Sequence, residues 1–165
     1  MSEGQSAPET LALEPDGGIP NSRLPVLIYR GLELAEEAAS AESAFAEHGW
    51  RGAWRNGIFG FHHFHSTAHE VLAIVAGSVQ VRLGGPGGRS LQVARGDVLV
   101  LPAGTGHRNE GDSGDLLVVG AYPNGMTWDV RRGNPGEYDE VTANIAAVPL
   151  PDADPVGGTL AQLWR

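Results

Sequence analysis

At 165 residues, with 24 glycines and 11 prolines, the chain has length for one domain with its own core and suits short strands joined by turns better than a helical bundle. A formal net charge of -9 argues against nucleic acid as a partner, because phosphate contacts need clustered basic residues. All eleven basic residues are arginines and cysteine is absent, which excludes lysine Schiff bases, thiolate catalysis, disulfides and sulfur-ligated metals.

Residues 1–18 mix Ser, Glu, Pro, Ala and Gly without periodicity, which predicts a disordered tail ahead of one domain spanning 19–165. No basic patch leads into an apolar run, and no stretch approaches the roughly 20 apolar residues that span a bilayer, so a cytoplasmic, non-membrane protein is expected. Residues 24–29 read as a short strand with Pro25 near its start. Across 33–48, Leu34, Ala38, Ala41 and Phe45 recur at helical spacing before a stop at Gly49, and His48 suits the negative end of that helix. Beyond it, runs at 58–65, 70–75, 78–83, 90–94, 98–101 and 116–121 predict a sandwich or barrel. The Gly84-Gly85-Pro86-Gly87-Gly88 pentad lacks the Lys-Ser/Thr of a phosphate loop and reads as an exposed turn. Pro149 to Pro155 reads as an extended arm.

The histidines carry the chemistry. Four of six fall at 62, 63, 65 and 69, and His107 follows a proline-glycine turn. In an extended segment His63 and His65 face one side about 6 to 7 Å apart, while His62 faces the other. Glu70 can return a carboxylate to the same centre, and His107 a third imidazole. This nitrogen-oxygen set suits one divalent transition-metal ion, Fe, Mn, Ni, Co, Cu or Zn.

Gly57, His63, His65, Glu70 and Gly77 match the first motif of the cupin superfamily, G-x5-H-x-H-x3-4-E-x6-G, at every position. Gly96, Pro102, Gly104 and His107 match the second, G-x5-P-x-G-x2-H-x3-N, with Gly111 where the family has asparagine. The motif core thus covers 57–111. Segments around His65 to Leu72, Leu101 to His107 and Val118 to Pro123 further resemble small bacterial YjlB-like cupins. The resemblance implies an all-β jelly-roll barrel with one N-terminal helix and extended terminal arms, His63, His65, Glu70 and His107 as metal ligands, and a homodimer.

Arg55, Asn56, Arg108 and Tyr122 lie near the motif ends and are candidates for lining the barrel mouth. His69, next to Glu70, is expected beside the ligands or at the surface, not among them. Asp97 reads as turn chemistry, and Trp50 and Trp54, at even parity, as core or dimer-interface residues. Two functions fit: a metal-dependent oxygenase or isomerase acting on a small polar metabolite, or a non-catalytic ligand-binding or sensory cupin whose metal is structural. Fold alone does not choose between them.

Overall fold

A computed structural model describes residues 7–165. Its nine strands are β1 (Glu9–Leu11), β2 (Val26–Tyr29), β3 (Trp50–Asn56), β4 (Glu70–Ala76), β5 (Ser78–Leu83), β6 (Arg89–Ala94), β7 (Val98–Leu101), β8 (His107–Asp112) and β9 (Leu117–Pro123). They form two antiparallel sheets, one in the order β1-β2-β7-β4-β9-β3 and one in the order β6-β5-β8. Side-chain alternation explains how they pack. Val26, Ile28, Leu72, Ile74, Leu99, Leu101 and Val118 of the large sheet face Val79, Val81, Leu83 and Val93 of the small one, closing a jelly-roll interior.

The opposite face of the large sheet is also buried. Leu27, Tyr29, Val71, Ala73, Val98, Val100, Val119 and Ala121 pack against Ala41, Phe45, Trp50, Val156, Leu160 and Trp164. Burial on both faces is why β2, β4, β7 and β9 read as unbroken apolar runs instead of alternating ones. Each such Val, Leu or Phe contributes about 1.5 to 3 kcal/mol by leaving water.

The segment read as one helix at 33–48 is two pieces. Glu33–Glu36 forms a 3-10 turn, Glu37 is extended (φ -143°, ψ 147°), and α1 runs over Ala38–Glu47. His48 caps it, its Nδ1 donating to Ala44 O at 2.8 Å. Residues 58–65 are not a strand. Single bridges tie His63 to His107 and Phe64 to Arg131, on opposite sides, so the backbone is extended there without a ladder.

The expectation of a disordered tail to residue 18 gives way where description begins, while residues 1–6 lie outside the described residues. β1 pairs with β2, and Leu11 is buried. Asp16 accepts from Gly87 N at 2.7 Å, and Leu13, Asp16 and Ile19 cover Gly84 and Gly85, so only the tip of the glycine-rich turn is exposed. Towards the C-terminus, α2 (Tyr138–Ala147) and α3 (Leu160–Leu163) add helices the sequence reading lacked. Between them the chain lies extended, pinned by Trp50 Nε1 donating to Ala153 O (2.9 Å) and by a short Tyr29 to Asp154 hydrogen bond. Asp97 serves a turn, accepting from Gly31 N and Ala94 N. Among the described residues no helix is long and apolar enough to cross a membrane.

One irregularity shapes the interior. Pairing of β3 with β9 shifts by one residue between Arg51 and Trp54, around Gly52 at φ +70°. A bulge of this kind reverses side-chain parity. Trp50 therefore enters the outer layer, whereas Trp54 turns to the interior and lies over Gly120. Gly111, where the motif has asparagine, also sits at a bulge, at φ +149° beside the register shift of β5 with β8. Asn109 Oδ1 accepts from Gly111 N there, at 2.7 Å.

Candidate metal centre

His63 and His65 hang from the 57–69 connection, Glu70 opens β4 and His107 opens β8. All four are at most 7% exposed, so their polar atoms have little access to water. Ligand atoms of the three imidazoles lie within 4.8 Å of one another. Glu70 Oε1 stands 3.2 Å from His65 Nε2 and 3.5 Å from His107 Nε2.

Backbone carbonyls fix each ring. His63 Nδ1 donates to Phe61 O (3.0 Å), His107 Nδ1 to Thr105 O (3.0 Å) and His65 Nδ1 to Asp129 O. An Nδ1–H committed in this way leaves Nε2 as a bare lone pair. Three lone pairs and a carboxylate then face one another in a buried space, an arrangement of acceptors that a divalent cation satisfies. Cis ligands of an ion with bonds near 2.1 Å sit about 3 Å apart, close to the Glu70 separations. The residues present fit the metal.

Electrostatics agree. Burial, with His107 as neighbour, pushes His63 down to about 3, which keeps it neutral. Burial also penalises a charge on His65, but the Glu70 hydrogen bond outweighs it and the ring's pKa rises. For Glu70, burial favours the neutral acid, yet hydrogen bonds from His107 and His65 hold the carboxyl well below its usual range.

A cavity of about 440 Å³ adjoins the quartet, its walls including Trp54, Ile58, Phe59, Leu72, Tyr122 and Trp128. Tyr122 and Trp128 stack with ring centroids 5.8 Å apart, and Trp54 Nε1 donates to Tyr122 Oη at 2.8 Å. Burial and the Glu70 charge raise the Tyr122 phenol. Of the four candidates for the mouth, the structure brings Asn56 and Tyr122 to the cavity. Arg55 and Arg108 turn away. Arg55 makes two 2.8 Å bonds to Glu42, and Arg108 Nε donates to Gly60 O at 3.1 Å. Apolar walls differ from those expected around a small polar metabolite.

His69 lies apart from the quartet. Its Nδ1 accepts from Ala103 N (2.9 Å), its Nε2 donates to Pro149 O (3.1 Å), and it packs on Trp164. Sequence reasoning assigned Trp54 to the core or an interface and overlooked Phe59, Trp128 and Asp129. The Asp129 carboxylate accepts from Ser66 N, Ser66 Oγ and Arg131 Nε, fastening the strand-like strap whose carbonyl holds His65. Trp128, on the same strap, meets His65 edge-on at 5.5 Å. Its aromatic character and place in a polar, glycine-containing loop were the available signals.

A cupin family model matches residues 54–125. A relative from Bacillus subtilis (strain 168), "Uncharacterized protein YjlB", is 34% identical over 160 residues, covering 94% of this chain and 96% of its own length. Among solved structures, acireductone dioxygenase from Bacillus anthracis with cadmium in its active centre is 17% identical, covers 62% of this chain and 79% of its own, and has a TM-score of 0.44. A single-site variant of the oxalate decarboxylase of Bacillus subtilis is likewise 17% identical, over 72% of this chain and 30% of its own, with a TM-score of 0.40. Identity and coverage against the first relative decide the matter: the chain belongs to the cupin family, among its YjlB-like members.

Proposed function

We propose that the chain binds one divalent transition-metal ion through His63, His65, Glu70 and His107 and acts as a metalloenzyme on a small molecule held in the adjoining cavity. The observation that carries this reading is that the four donors form part of the cavity lining. A purely structural ion would be enclosed by protein on every side, whereas a catalytic one keeps a position for exchange.

When bound, the ion would supply a positive charge that polarises an oxygen of the ligand. The chain's own groups do the rest. Glu70, engaged by two imidazoles, balances that charge and is not free as a base. Asn56 and Tyr122 offer an amide and a hydroxyl to position polar atoms, and the aromatic walls keep water from the site.

Elemental analysis of protein purified without chelator tests the first half, with about one ion per chain expected and most of it lost in His65→Ala and His107→Ala. Azide added to the cobalt-loaded protein tests the second, with a changed visible spectrum expected. A metal-free protein that shows no thermal shift with Ni, Mn, Fe or Zn would remove the metal reading. A spectrum indifferent to small anions, in a protein that chelators unfold, would make the ion structural.

A further inference from the structure

The cavity wall has an uneven chemistry. Around the quartet, polar side chains among the described residues are limited to Asn56 and Tyr122, and the Tyr122 hydroxyl is already engaged by Trp54. No arginine of the described residues lines the space, and the sequence has no lysine. The arginines nearest in sequence are committed elsewhere: Arg55 to Glu42, Arg108 to Gly60, and Arg132 over the Phe61 ring at 3.9 Å.

A ligand carrying a second carboxylate or a phosphate would thus find no countercharge away from the ion, and a polyol would leave most hydroxyls without partners. What the wall offers instead is flat apolar surface. Trp54, Tyr122 and Trp128 present rings, joined by Phe59, Ile58 and Leu72. Trp128 and Phe59 are 45% and 51% exposed, so they form a rim that a guest would cover.

The geometry points to a ligand with one compact oxygen head for the metal and an uncharged, planar apolar body, an aromatic compound by class. This rests on the metal reading above and names the guest for that same site. It reverses the expectation of a small polar metabolite for everything but the head.

The test uses three hydroxamates that share one metal-binding head: acetohydroxamate, benzohydroxamate and the polyhydroxylated gluconohydroxamate. Binding to the zinc-loaded full chain is measured by titration calorimetry after metal content has been determined on the same sample. Benzohydroxamate should bind roughly tenfold or more tighter than acetohydroxamate, and gluconohydroxamate no tighter than acetohydroxamate. Trp128→Ala and Phe59→Ala, each truncating an exposed side chain and compared at matched metal content, should each cut the phenyl preference severalfold. Equal binding of the three probes, or preference for the polyol, by a metal-loaded protein would overturn the ligand class and leave the metal centre standing. A preference untouched by both substitutions would overturn it too, since the rings would then not be its source. A protein that takes up no metal would remove both readings.

Discussion

Asp129 shows how a residue outside both motifs can govern the centre. Its carbonyl accepts from His65 while its carboxylate holds Ser66 and Arg131, so losing the side chain frees the strap that orients the ring. Asp129→Ala should weaken metal binding by about tenfold or more with every ligand intact, measured by chelator competition. Unchanged affinity would mean that the Phe64 to Arg131 bridge suffices. His69 gives a pH prediction of definite sign. Buried and neutral, it is pushed down to about 4 from an ordinary 6.5. The unfolded chain therefore takes up a proton that the fold refuses, and the associated stability is complete above pH 6.5 and lost as pH falls towards 4. The loss amounts to about 3 kcal/mol. In metal-free protein, urea unfolding at a series of pH values should show a steeper acid loss for wild type than for His69→Gln, the subtraction removing the similar contribution of His63. The ligands were legible because His63 and His65 alternate and motif spacing placed Glu70 and His107. Arg55 and Arg108 misled because a guanidinium goes to the nearest acceptor, which sequence does not display. Asp129 was invisible because His65 is 64 residues away.

At the scale of elements, β9 shows what the glycine at its centre does. A Cβ on Gly120 would stand 2.2 Å from the Trp54 ring, which lies flat against the strand. Gly120→Ala should cost about 1 to 3 kcal/mol in denaturant unfolding through overpacking. Its crystal structure should show Trp54 displaced into the cavity; an undisturbed ring with unchanged stability would mean that β3 yields instead. The apolar runs of β4, β5, β7 and β9 were readable because composition alone separates buried strands from turns. The bulge in β3 was not, since Gly52 in Trp50-Arg51-Gly52-Ala53-Trp54 does not announce a one-residue register shift. Residues 58–65 looked like a strand because their local pattern is extended, but their bonds go to two different partners. The break at Glu37 was equally hidden, helical spacing being intact on both sides.

Across the whole molecule, the chain closes its main sheet with its own ends. Trp164 is 2% exposed, packs on His69 and donates from Nε1 to Pro25 O at 2.8 Å. Trp164→Ala should therefore destabilise the fold by about 3 to 5 kcal/mol, although the residue is next to last. Thermal or urea unfolding checks this, and a loss below about 1 kcal/mol would mean that the terminal layer is dispensable. The sequence showed an extended arm at 149–155 but not what it carries, because Val156, Leu160 and Trp164 become core only once the sheet's outer face exists. That face being filled, a homodimer would need a different surface.

The bulge at Gly52 also divides the chain's optics. Trp50 and Trp164 sit in the outer layer, whereas Trp54 and Trp128 border the cavity, so two pairs of indoles occupy separate environments on either side of one sheet. Emission from the native protein should contain a blue, quencher-resistant population and a second one open to the metal site. Copper(II) loaded at the centre should dim the cavity pair by energy transfer over a few ångströms, with the larger effect there. The outer pair should keep its blue spectrum until the fold itself is lost. One strand thereby supplies both an occupancy signal and a folding signal without any added label.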